Sequence, residues 1–203
     1  MRLFVLVRHG QSELNLVQRV NGDPSISVGL TAQGEDEARG LGLQVANLGL
    51  DLCVHTRFGR TRETAEIAIG DRAVPLRAER LLDDIDVGTL EGGTIDEYRA
   101  WKAAHRRADP FPEGESLDDA ARRYADGFER LLEEAADRVL VVCHEIPVRY
   151  ALNAAGGSDE LDGPAHQIGN CVPHVFDEEG LRRAARGIRR VTRPAGRNAG
   201  ERT

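Results

Sequence analysis

The sequence predicts an α/β fold of three αβα layers, with a mostly parallel central sheet, in a single domain that carries a small inserted cap segment. Short apolar segments of strand length alternate along the chain with segments of helical periodicity, which is typical of this class. The length of 203 residues suits one domain. With 40% hydrophobic and 30% charged residues, the composition excludes collagenous, coiled-coil and wholly disordered chains.

Strands are predicted where short apolar runs stand between polar or turn-forming residues. The predicted strands are residues 3–7, 50–54, 74–76 and 139–143. Residues 172–176 and 181–185, joined by a turn at 177–180, predict a hairpin at one edge of the sheet.

Helices are predicted from apolar residues at helical spacing. The first covers residues 35–48, which follow Thr31. The others are 61–69, 95–105, 117–136 and a helix through 150–155 with Pro147 near its start. Residues 83–93 are rich in acids and glycine and predict a loop.

Cysteine content and charge limit the class of partner. Three cysteines with no CxxC pair predict free thiols in a reducing, cytoplasmic location. No apolar segment approaches the roughly 20 residues that span a bilayer, and the run 3–7 is too short for a signal peptide, so neither a membrane partner nor export is expected. A net charge of −7 argues against nucleic acid, although residues 181–203 contain eight arginines and one glutamate.

Basic and imidazole side chains lie just beyond the ends of three of the predicted strands. Arg8 and His9 follow the first, Arg60 lies in the turn after the second, and His144 follows the strand 139–143. Neighbouring parallel strands would bring these side chains to one edge of the sheet. Each residue alone is compatible with a structural role. Because crowded cations need a counter-charge, the repeated pattern predicts a pocket for a dianion such as phosphate.

The motifs around these residues resemble those of the histidine phosphatase superfamily, which includes the cofactor-dependent phosphoglycerate mutases. Residues 8–15 (RHGQSELN) match its signature RHG(Q/E)(S/T)xxN. Further matches, in family order from residue 3 to about 176, are 30–38 (LTAQGEDEA), 56–65 (TRFGRTRETA), 88–92 (GTLEG), 113–117 (EGESL) and 141–144 (VVCH). The resemblance implies a family domain over residues 1–180 with a cap-like insertion at about 92–116. The hairpin pattern and the arginine content predict an edge strand with a basic, flexible tail over 181–203.

The resemblance also implies a phosphomonoester hydrolase that needs no metal or other cofactor. His9 would attack phosphorus and carry the phosphoryl group, while Arg8, Arg60 and His144 would neutralise its oxygens. Asp84 stands where the family usually has its glutamate general acid. The expected ligand is a small phosphorylated metabolite or inorganic phosphate, and a homodimer is left open.

Several residues leave alternatives open. Asn15, Asn21, Gly22 and Glu91 are candidates for contacts with the substrate. Glu91, Asp86 and Glu145 are rivals of Asp84 for the general acid, because aspartate is shorter than the family's glutamate.

Besides Asp84, three residues depart from the family pattern around the predicted pocket. Thr56 replaces a serine and Thr61 replaces an alanine. Glu145 replaces the usual glycine, and could either pair with His144 and hold it protonated or weaken the binding of phosphate.

The same residues are compatible with other functions. One is phosphoryl transfer of the phosphoglycerate mutase type. The resemblance implies a longer insertion in those mutases, so the short segment from Asp84 to Glu115 favours hydrolysis. A catalytically weak phosphate-binding or regulatory protein is another. The six histidines show no HxH or HxxxH spacing, so no metal site is expected.

Overall fold

A five-stranded sheet forms the centre of the protein. The computed structural model describes residues 1–193. Its strands are β1 (Leu3–Arg8), β2 (Leu52–His55), β3 (Leu76–Ala78), β4 (Arg138–Cys143) and β5 (His174–Asp177). The strand order is β3-β2-β4-β1-β5, with β5 antiparallel to β1 and the other pairs parallel. The prediction of a mostly parallel sheet is confirmed.

Helices cover both faces of the sheet. They are α1 (Glu13–Leu16), α2 (Ala32–Gln44), α3 (Gly59–Ile69), α4 (Ile95–Ala104), α5 (Leu117–Glu133), α6 (Glu145–Ala155) and α7 (Glu178–Val191). Val5 and Val7 of β1 pack in the cluster that contains α2 and α3, whereas Phe4 and Leu6 pack in the cluster that contains α5, α6 and α7. The side chains of the strand therefore alternate between two cores, as a three-layer fold requires.

The C-terminal hairpin predicted for residues 172–185 is wrong, because its second strand is part of α7. The Asp177 side chain accepts a hydrogen bond from the Gly180 amide and caps the helix. Glu178 and Glu179 lie in the first turn and arginines in the last, which suits the helix dipole. The predicted turn is thus a helix N-terminus. Residues 194–203 of the predicted basic tail lie outside the described part of the chain.

Residues 92–116, predicted as a cap-like insertion, contain α4 and the loop that follows it. Thr94 and Glu97 form a capping box that starts the helix. Trp101 stacks on Phe111, with ring centroids 4.0 Å apart, and this contact holds the loop against α4. The helix places Tyr98 and Lys102 on the wall of a cavity at the edge of the sheet.

In residues 1–193, no helix combines the length and the apolar character that crossing a bilayer requires.

Candidate active site

The parallel register brings the ends of three strands to the same edge of the sheet. Arg8 of β1 pairs with Cys143 of β4, and His55 of β2 pairs with Val142 of β4. The residues that come next in the chain therefore lie together. This edge opens into a cavity of about 780 Å³, lined among others by Arg8, His9, Asn15, Asn21, Gly22, Arg60, Asp84, Glu145 and Arg149.

His9 is buried and hydrogen-bonded at both ring nitrogens. Nδ1 lies 2.7 Å from the Gly10 carbonyl oxygen and Nε2 lies 2.9 Å from Arg60 Nε. A carbonyl only accepts and a guanidinium only donates, so these partners assign the proton to Nδ1 and leave a lone pair on Nε2. Burial, followed by the charges of Arg60 and Arg8, holds the pKa of His9 well below its ordinary value. The ring is neutral at neutral pH, which is the form that a nucleophile needs.

Arg60 connects the groups of the site. Its side chain is 4% exposed, and Nη2 donates to the Asn21 carbonyl at 3.1 Å, to Asp84 Oδ2 at 3.2 Å and to His144 Nδ1 at 3.2 Å. Nη1 donates to the Asn21 side chain. Its guanidinium also lies over the Phe58 ring, 4.3 Å from the centroid. These contacts fix the orientation of the guanidinium at the edge of the sheet.

His144 is held by a chain of hydroxyl groups. Because Nδ1 accepts from Arg60, Nε2 carries the proton and donates to Thr56 Oγ1 at 2.9 Å. Thr56 donates in turn to Thr61 Oγ1 at 2.8 Å, and Thr61 donates to the Phe58 carbonyl at 2.8 Å. Thr56 and Thr61, which depart from the family pattern, together fix one tautomer of His144. Burial is the main cause that lowers the pKa of His144, followed by the charge of Arg60.

The depressed pKa values of His9 and His144 predict a loss of stability in acid. Unfolded histidines take up a proton below about pH 6.5, whereas these two do so only at lower pH in the folded protein. The free energy of unfolding should therefore fall as the pH is lowered from 7.5 to 5. We expect the slope, measured by urea unfolding, to be shallower in His144→Asn. The raised pKa of Asp84 favours the folded protein as the pH falls, but it does so in the wild type and in the variant alike. Equal slopes in the two proteins would contradict the prediction.

Asp84 is the predicted acid that reaches His144 and Arg60. Its Oδ2 lies 3.4 Å from His144 Nδ1 and 3.2 Å from Arg60 Nη2, and its side chain is 22% exposed to the cavity. Burial raises the pKa of Asp84 against the opposing charge of Arg60. A carboxyl group in this environment keeps its proton to higher pH than an exposed aspartate.

The rival carboxylates have other partners. Glu91 accepts hydrogen bonds from Asn21 Nδ2 at 2.9 Å, the Gly22 amide at 2.6 Å and the Asp23 amide at 3.2 Å, so it holds the loop that carries Asn21. Asp86 accepts from the Gly88 amide at 2.9 Å. Backbone amide groups thus hold both carboxylates, those of a distant loop for Glu91 and that of its own loop for Asp86.

The predicted contact residues Asn15 and Gly22 also have structural roles. Asn15 completes the capping box of α1 with Ser12. At Gly22 a Cβ would lie 2.2 Å from the Ile85 carbonyl oxygen, so only glycine fits there.

Glu145 forms ion pairs with arginines. Its Oε2 lies 2.9 Å from Arg8 Nη1, and its Oε1 lies 3.3 Å from Arg149 Nη1. The alternative in which Glu145 pairs with His144 is therefore wrong. The contact between Glu145 and Arg8 joins residues 137 positions apart, and the sequence carries no local signal for it.

Within the part of the chain that the structure describes, no three His, Cys, Asp or Glu side chains are grouped closely enough to hold a metal ion.

Comparisons with known proteins agree with the motifs. The model of the histidine phosphatase superfamily (branch 1) matches residues 4–188. The chain is 36% identical over 192 residues to 2,3-bisphosphoglycerate-dependent phosphoglycerate mutase of Methylobacterium radiotolerans, covering 86% of this chain and 89% of that one. It is 33% identical to 6-phosphofructo-2-kinase/fructose-2,6-bisphosphatase 4 of Homo sapiens, but spans only 38% of that protein.

Among solved structures, the alpha-ribazole phosphatase of Shigella flexneri has a similar fold. The TM-score is 0.76 at 22% identity, and the similarity covers 86% of this chain and 90% of that one. The extent of the family match and of the similarity to the mutase shows that this chain belongs to the histidine phosphatase superfamily, branch 1.

Proposed function

We propose that this protein is a phosphomonoester hydrolase that acts on a small phosphorylated metabolite through a phosphohistidine on His9, without a metal ion. The observation that carries the proposal is the state of His9. Its Nε2 bears a lone pair, its Nδ1 is fixed by the Gly10 carbonyl, and two arginines lie beside it at the base of a cavity.

In the first step Nε2 of His9 attacks phosphorus, and the bond from phosphorus to the ester oxygen breaks. The Arg60 Nε–H group bonds to Nε2 of His9 in the structure. When substrate binds, this group donates to a phosphoryl oxygen instead and so frees the lone pair. Arg8 and Arg60 offset the charge of the phosphoryl oxygens as the transition state forms. In the second step water attacks phosphorus and releases phosphate from His9.

Asp84 is the group that handles the proton. It donates to the leaving ester oxygen in the first step and takes a proton from the attacking water in the second. Its raised pKa keeps a fraction of the carboxyl groups protonated nearer to neutral pH, as the first step requires.

Asp84→Asn is expected to lower turnover of an alkyl phosphate about 100-fold, because an alkoxide leaving group needs a proton. Hydrolysis of an activated aryl phosphate should fall by less than about tenfold, since a phenolate leaves without protonation. Asp84→Glu should retain activity, because its carboxyl group reaches at least as far. Rates of phosphate release for the two substrate types measure both effects.

Asp86→Asn, two residues away in the same loop, is the matched control and should leave the ratio of the two rates unchanged. Equal losses on both substrates in Asp84→Asn would show that Asp84 shapes the site rather than protonates the leaving group.

The experiment that tests the proposed function is a phosphate-release screen over a panel of phosphomonoesters with chelator in excess. Release of phosphate from at least one of them is the expected result, and abolition by chelator would contradict the metal-independent mechanism. The similarity to a phosphoglycerate mutase favours transfer as the second candidate. Isomerisation of phosphoglycerate faster than release of phosphate would establish that function, whereas binding of phosphate without turnover would indicate a regulatory role.

A further inference from the structure

Glu145 lies where the base of the cavity meets its outer wall. It is the first residue of α6, directly after His144, and its side chain is one-third exposed to the cavity. One carboxylate oxygen binds Arg8 and the other faces Arg149. The contacts of Arg8 with Glu145 and with the Ile168 carbonyl both use Nη1, which holds the guanidinium beside His9. The Glu145 carboxylate is therefore fixed, between two arginines, next to the place where the ester would bind.

The outer wall of the cavity carries the cations Arg19, Arg99, Lys102 and Arg149, and each of them already contacts a protein acceptor. Arg149, only 11% exposed, donates to Asp162 at 2.7 Å as well as facing Glu145, and Lys102 lies 3.8 Å from Asp162. At the rim, Arg99 pairs with Asp96 at 3.3 Å. The remaining outer-wall arginine, Arg19, donates to the Gly92 carbonyl. Each cation that lines the outer wall thus has an acceptor among residues 1–193.

This distribution of charge acts on the alcohol portion of a substrate. A carboxylate or second phosphate on that portion would lie near the Glu145 carboxylate, which repels it. It would gain Arg149 only by displacing Asp162 or Glu145. A hydroxyl group would instead find carboxylate oxygens able to accept its hydrogen bond. Repulsion of the wrong ligand is a common source of specificity.

We propose that Glu145 is a specificity-determining residue that selects phosphomonoesters whose alcohol portion carries no second anionic group. The inference rests on the proposed hydrolase function and names the substrate class of the same site. It also accounts for the departure from glycine at this position, because glycine would leave Arg8 without the carboxylate that it binds here.

Glycerol 3-phosphate and 3-phosphoglycerate form a matched pair of probes. The first carries a hydroxymethyl group where the second carries a carboxylate. We expect the wild-type protein to favour glycerol 3-phosphate in kcat/KM by about tenfold or more. Glu145→Gln, which keeps the size but removes the charge, should reduce this preference about fivefold or more, mainly by raising kcat/KM for 3-phosphoglycerate.

Two control variants separate local charge from net charge. Glu145→Asp keeps a carboxylate beside Arg8 and should keep the preference within about threefold of the wild-type value. Glu179→Gln on α7, whose carboxylate pairs with Arg186 away from the cavity, removes one charge and should leave the preference unchanged. An unchanged preference in Glu145→Gln, or a wild-type preference for 3-phosphoglycerate, would overturn the proposal.

Binding of the same two probes to His9→Ala, measured by calorimetry, gives the comparison without turnover. Tighter binding of glycerol 3-phosphate, lost when Glu145→Gln is added, supports the selection by charge even if neither compound is hydrolysed. Equal affinities in His9→Ala overturn it even if the wild-type protein is an active phosphatase. Failure of the proposed function and failure of the specificity proposal are thus distinguishable.

Discussion

Replacing His9 by alanine is expected to lower the turnover of every phosphomonoester at least about 10⁴-fold, because the reaction loses its nucleophile. His144 cannot take over the role. Its ring centroid lies 5.4 Å from that of His9, its Nε2 is protonated toward Thr56, and its Nδ1 faces Arg60 and Asp84. Single-turnover measurements with an aryl phosphate give the rate of the first step directly.

His105→Ala is the matched control, since His105 is exposed and stacks on Trp101 outside the base of the cavity. It should keep the wild-type rate. A His9→Ala protein with activity within about tenfold of the wild type would show that another group attacks phosphorus.

Arg60→Ala should lower turnover about 1,000-fold, at the upper end of what the loss of one hydrogen-bond donor to the transition state costs. Arg60 contacts His9, Asn21, Asp84 and His144 at once, so its removal affects the binding of the phosphoryl oxygens and the orientation of the acid. Arg60→Lys should restore little, because an ammonium group lacks the planar fork that makes these contacts together.

Arg62→Ala on the same helix is the control, because Arg62 is exposed and pairs with Glu66 at 2.7 Å. Its rate should equal that of the wild type. A mild effect of Arg60→Ala would indicate that Arg57, whose Nε lies 2.5 Å from Asp83, binds the phosphoryl group instead.

The strands β1, β2 and β4 could be predicted from the sequence because strands buried on both faces are continuous apolar runs. The strand β3, predicted at 74–76 and observed at Leu76–Ala78, is short and largely exposed, so this signal does not fix its position. β1 and β4 lie within one residue of the predicted ends. The second half of the predicted hairpin was wrong because Asp177 and Gly180 are common in turns and in helix N-termini alike, and only packing decides between them. The four-residue helix α1 lacks the periodicity that would predict it.

Some residues of the candidate site could also be predicted from the sequence. His9 and His144 were predicted from their places at strand ends, and Arg60 from the turn after the second strand and its match to the family motif. The structure brings them together at one edge. The roles of Glu91 and Glu145 could not be predicted, because their partners are distant in sequence. Glu91 supports a loop 68 to 70 residues away, and Glu145 binds the arginine of the first strand.

Passage of the phosphoryl group through Nε2 of His9 is the step on which the proposed mechanism depends. It is tested most directly by quenching the enzyme with base during turnover of a radiolabelled phosphomonoester and mapping the label by mass spectrometry. We predict an acid-labile, base-stable phosphoryl group on the peptide that contains His9, formed at least as fast as phosphate is released and absent from His9→Ala. Steady release of phosphate with no label on His9, or with the label on another residue, would contradict the mechanism.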